Sequence, residues 1–93
     1  MRKVYKYTLP FPSQSQGVPH HVSMVRDAII TRMDFQHGKL CLWAVVNIAE
    51  PERLRVFRYV LTGAAIHPST KQVWTVTPDD YATVYHVMDC GQL

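Results

Sequence analysis

Polar and apolar residues alternate along most of this chain with a period of two, the repeat of a strand that buries one face. In Lys3–Leu9, Tyr5, Tyr7 and Leu9 share one face, and Pro10 and Pro12 end the strand because proline brings no N–H to a ladder. Ser13 to Gly17 is a polar loop, and His20–Met24 is a short, weaker strand. In Ala28–Gln36, Ile29, Thr31, Met33 and Phe35 make one face, while Arg32, Asp34 and Gln36 dominate the other. His37-Gly38 between two strand patterns predicts a tight hairpin. The strand that follows, Leu40–Ile48, is apolar on both faces and is the expected centre of the fold, with Trp43 buried in it. Arg53–Thr62 alternates again: Leu54, Val56 and Val60 on one side, Phe57, Tyr59 and Leu61 on the other. Gln72–Thr77 and Thr83–Met88 complete the set, with a turn at Thr77-Pro78-Asp79-Asp80. Helix competes at two places: Glu50–Val60, where Pro51 suits a first helical position, and Pro78–Thr83.

Strands recurring at this spacing predict an all-β fold, a small and mostly antiparallel sandwich or partly open barrel of six to seven strands. The expected core is Leu40–Ile48 flanked by Ile29–Phe35 and Leu54–Leu61. A length of 93 residues suits one domain spanning 1–93. No apolar run approaches the ~20 residues of a membrane span, so no membrane association is expected. The basic start at Arg2, Lys3 and Lys6 lacks the apolar stretch and cleavage site of a secretion signal. A cytoplasmic setting with two reduced cysteines is therefore expected.

Charge alters this picture only slightly. Ten Lys and Arg against seven Asp and Glu leave +3, less than a dedicated nucleic-acid binder of this size usually carries. Catalytic chemistry finds little footing. The five histidines and two cysteines form no Cys-x-x-Cys or His-x-x-x-His pair, so no metal or other cofactor is expected. Cys41 lies in the most apolar strand and reads as a small core residue, Cys90 sits near the end, and a bond between them would need their strands to be neighbours. There is no Gly-x-Ser-x-Gly and no glycine-rich phosphate loop, and Asp79-Asp80 is ordinary turn composition. The expectation is a protein that is not an enzyme.

Aromatics are the richer signal. Arg55, Arg58 and Lys71 are interleaved with Phe57, Tyr59 and Trp74, and Tyr5, Tyr7, Tyr81 and Tyr85 add to them. Such residues pack across strands, anchor protein interfaces or stack nucleic-acid bases. The face carrying Arg55, Phe57 and Tyr59 is the expected partner-binding surface, exposed at least in part. Arg58 on the opposite face signals a bulge, or the two faces reversed.

Three segments resemble a family of small uncharacterised proteins of tailed phages and prophages: Val4-Tyr5-Lys6-Tyr7-Thr8-Leu9-Pro10, the run from Gly38 to Val46, and the run from Arg55 to Gly63 followed by Ile66. Val84-Tyr85-His86-Val87 is similar to that family's last strand. Members carry Gly-Thr-Gly-His after the third segment, where this chain reads Leu61-Thr62-Gly63-Ala64. The resemblance implies a phage origin and supplies no catalytic residue. With it, the expected function is an interaction module that binds a host protein or complex, an inhibitor of host defence of the anti-CRISPR kind. A nucleic-acid-binding β-module and a phage structural or assembly accessory protein remain the alternatives.

Overall fold

The structure, a computed structural model, describes residues 1–11, 16–78 and 83–93. Seven strands form among them: β1 (Arg2–Leu9), β2 (His20–Val25), β3 (Ile29–Gln36), β4 (Lys39–Asn47), β5 (Glu52–Leu61), β6 (Gln72–Val76) and β7 (Tyr85–Gln92). They make two antiparallel sheets, one ordered β1-β4-β3 and the other β2-β5-β7-β6. The fold is the expected all-β sandwich, and the sheets do not close into a barrel. The described residues contain no helix, and so none long and apolar enough to cross a membrane. The helical competitor at Glu50–Val60 is replaced by β5. The turn composition at Asp79 and Asp80, the aromatic Tyr81 and most of the Ser13–Gly17 loop lie outside the described residues.

The core lies between the sheets. Leu9, Met33, Leu40, Leu42, Ala44 and Val46 from the three-stranded sheet meet Met24, Phe57, Tyr59, Val76 and Val87 from the four-stranded one. Past Pro10 the chain turns into one end of the sandwich. There the Phe11 ring makes edge contacts with Phe35 at 5.0 Å, Tyr59 at 5.4 Å and Tyr85 at 4.6 Å. Such T-shaped pairs add to simple burial. His37 and Gly38, with φ of 52° and 76°, form the two-residue turn between β3 and β4. Both central residues of a type I′ turn need positive φ, which glycine tolerates best.

Several expectations are corrected. β4 is central to its sheet, but its neighbours are β1 and β3; β5 belongs to the opposite sheet. In a two-layer sandwich only one face of β4 meets the other sheet, although Cys41 on the outer face is also buried. Leu40, Leu42, Ala44 and Val46 point inward, and Trp43 stands on the outer face, half-buried rather than in the core. A register shift between Ile30 and Arg32 breaks the alternation of β3. Ile30 packs on the core and Ile29 is left 59% exposed. β7 runs beyond Met88 through Cys90, Gly91 and Gln92, held by Lys71 N–H donating to the Asp89 carbonyl at 2.7 Å. Cys41 and Cys90 sit in different sheets and are free thiols.

Candidate interaction surface

The Arg55/Phe57/Tyr59 face points the other way from the expectation. Phe57 is 0% exposed and Tyr59 3% exposed, because this is the side of β5 that meets the opposite sheet. The Tyr59 hydroxyl donates to the Pro10 carbonyl at 2.5 Å. Arg55 is engaged in full view of both sheets: Nε and Nη2 donate to the two Asp89 carboxylate oxygens at 3.1 and 2.5 Å, and Nη1 to the Ala28 carbonyl at 2.5 Å. Asp89 is buried and also accepts from the Gly91 N–H at 3.0 Å. A forked pair of this kind fixes geometry as well as charge. It ties β5 to β7 and to the β2–β3 connection. No outward-facing anchor is left among the three residues in the isolated chain.

Arg58, on the other side of β5, bonds the Gly17 carbonyl at 2.8 Å. That outer side is itself covered in part. The His67 N–H contacts Met88 Sδ at 3.4 Å, which places the β5–β6 connection on the sheet, and Val56 and Val60 are buried. Leu54 remains exposed towards the start of the strand.

Burial acts on two titratable groups, Tyr59 in the core and the partly buried His20. It pushes the Tyr59 phenol well above its ordinary 10.0. It lowers His20, with His21 beside it adding to the effect. The folded state thus holds the Tyr59 proton more tightly than the unfolded chain. This contribution to stability is complete below pH 10.0 and is lost as pH rises above it. Urea midpoints followed upward through that range should fall for the wild type. Tyr59→Phe should flatten the fall while costing about 1 kcal/mol at neutral pH from the lost hydrogen bond. Equal alkaline slopes for the two proteins would remove Tyr59 as the cause.

The polar clusters that could carry chemistry are mostly engaged internally. His86 bonds Thr62 Oγ1 through Nε2 at 2.7 Å and Thr75 Oγ1 through Nδ1 at 3.0 Å. His67 Nδ1 bonds Ser69 Oγ at 2.7 Å. Among the described residues no three His, Cys, Asp or Glu side chains come together as a metal site. Two adjoining clefts of about 580 and 270 Å³ open beside the ion pair, both lined by Arg55, Lys71 and Asp89. Arg55 and Asp89 bind each other there, which leaves Lys71 as the cation at the rim.

The surface that does collect interface-type residues is the outer face of the three-stranded sheet. Register sets it out in cross-strand rows. Val4, Val45 and Ile29 form one row, with Val4 64% and Ile29 59% exposed. The next row is Lys6, Trp43 and Arg32. Lys6 Nζ lies 5.7 Å and the Arg32 guanidinium 5.8 Å from the Trp43 ring centre, one reaching in from each neighbouring strand. Lys6 also bonds Gln36, and Arg32 pairs with Asp34 at 2.9 Å. Arg2 stands at the end of the same face of β1. Cations over an aromatic ring gain from its quadrupole and hold it upright between them.

Residues 1–92 match the family model described as Domain of unknown function (DUF7352). No curated protein and no solved structure matches the chain.

Proposed function

We propose a binding role for this chain, which belongs to the DUF7352 family of domains of unknown function: a non-enzymatic interaction module that engages a protein partner through the outer face of the β1-β4-β3 sheet. The observation that carries this reading is the pair of adjacent rows on that face. A half-buried tryptophan and an arginine lie beside exposed aliphatic side chains, which is the composition of an interface centre. The strand segments' resemblance to small tailed-phage proteins supports the bacterial cytoplasm as the setting of this reading and a host-defence protein or complex as the partner it proposes. Base stacking on the β5 aromatics is disfavoured, since Phe57 and Tyr59 are in the core. Trp43 is flanked by two cations of its own chain, which leaves little ring face for a base.

Capture from infected-host lysate tests the reading. Wild type should retain a discrete protein at high salt, and Ile29→Glu, which alters only an exposed side chain, should release it. Trp43→Ser should weaken the affinity roughly thirtyfold if the ring is an interface anchor. Retention by both variants would take this face out of the interface. Capture of nucleic acid that disappears steeply with added salt would point to phosphate contacts instead.

A further inference from the structure

β1 hydrogen-bonds on one side only. It is the end strand of its sheet, and no described strand pairs with its other edge. The register with β4 is unbroken over Arg2–Leu9, so the direction of each backbone group follows from one bond. The Ile48 N–H donates to the Met1 carbonyl at 3.0 Å. In an antiparallel pair such residues alternate, so Lys3, Tyr5 and Tyr7 also direct their backbone groups at β4. The N–H and C=O groups of Arg2, Val4, Lys6 and Thr8 therefore point to the open edge. Their side chains lie on the outer face, in the rows already described.

We infer that this edge accepts an extended segment of the protein partner as a fourth strand, and that the segment alternates acid, apolar, acid on the side facing Arg2, Val4 and Lys6. The inference rests on the reading of this face as the interface and specifies how the partner meets it. A strand added at β1 continues each row by one position. The residue opposite Val4 lengthens the aliphatic row Val4–Val45–Ile29. The residues opposite Arg2 and Lys6 meet cations, and neither Arg2, Lys3 nor Lys6 forms an ion pair with a described carboxylate. Main-chain bonds would supply affinity and the alternating side chains the selectivity, as in other strand additions.

The same charges disfavour a second copy of this chain. Pairing β1 with β1 would crowd Arg2, Lys3 and Lys6 of both copies onto one ribbon, and lysines on an edge block self-association. An acidic segment turns that block into attraction. Charge thus selects the occupant.

A capped peptide, acetyl-Thr-Glu-Thr-Val-Thr-Glu-Thr-amide, is the probe, since its pattern reads the same in either strand direction. Titrated into the isotope-labelled protein, it should shift the β1 amides and slow hydrogen exchange at Val4 and Lys6. The analogue with Lys for Glu should do neither. Val4→Pro removes an outward N–H at a place where an edge strand tolerates proline, and should abolish binding with the remaining amide spectrum intact. Lys6→Glu leaves the backbone unchanged and should weaken binding roughly threefold to tenfold, the scale of a cross-strand charge pair reversed. Absence of β1 shifts at millimolar peptide would overturn the inference, as would binding that Val4→Pro leaves unchanged. A single-stranded oligonucleotide that displaces the peptide and binds the Val4→Pro variant equally well would also overturn it. If the lysate partner is lost with Ile29→Glu but kept with Val4→Pro, strand addition fails while the interface reading stands.

Discussion

Asp89→Ala is expected to destabilise the fold by about 3–5 kcal/mol, the usual result of stranding one member of a buried ion pair. The side chains of Arg55 and Asp89 are only 14% and 6% exposed, so water replaces little of what the substitution removes. The guanidinium would keep its bond to the Ala28 carbonyl and lose both carboxylate oxygens. A loss of that size is a large part of the 5–15 kcal/mol that typically separates folded from unfolded domains. The double variant Arg55→Met/Asp89→Leu leaves no unpaired charge and should recover most of the loss. Urea denaturation of the two variants measures both effects. A single-variant cost below about 1 kcal/mol would mean that the pair behaves like an exposed one.

This ion pair also explains where the sequence was legible and where it was not. Alternation located all seven strands, including the weak His20–Met24, and the His37-Gly38 turn followed from its residue types. The facing of β5 did not. Val56 and Val60 are buried beside Phe57 and Tyr59, so apolar residues occur on both sides of the strand. Period two states only that alternate residues share a face, and it gives no sign of which face is inside. Arg58 held the warning, as the charge on the side assigned to the core; it bonds the Gly17 carbonyl outside the sheet. Arg55 looked free because its partner, Asp89, is 34 residues away, just past the Thr83–Met88 strand pattern.

The outer face of the three-stranded sheet was closer to hand. Counting back from a two-residue turn at His37-Gly38 places Arg32 opposite Trp43 and Asp34 opposite Cys41. Arg32 and Asp34 belong to the polar side of β3, so Trp43 had to share that side. An apolar strand with two covered faces was the competing assumption, and it fails because no third layer lies over the β1-β4-β3 sheet among the described residues. The bulge between Ile30 and Arg32 was not legible. It exchanges Ile29 for Ile30 at the core with no glycine or proline to mark it.

Phe57→Ala should cost about 3–5 kcal/mol, comparable to the loss of Asp89 and well above that of Trp43→Ala. Phe57 is wholly enclosed among side chains of both sheets, and truncation leaves a cavity the surrounding strands can fill only in part. Trp43 is larger, but one side of its environment is solvent and long cationic side chains, which can close over a gap without moving a strand. The ordering therefore tests which tryptophan or phenylalanine belongs to the core independently of any partner. Thermal or urea unfolding of the two alanine variants gives the answer. If Trp43→Ala proves the more destabilising, the outer face of the three-stranded sheet is part of the core, and its claim as an interaction surface falls with it. If Phe57→Ala is the costlier, loss of partner capture by Trp43→Ser can be read as a binding effect rather than as unfolding.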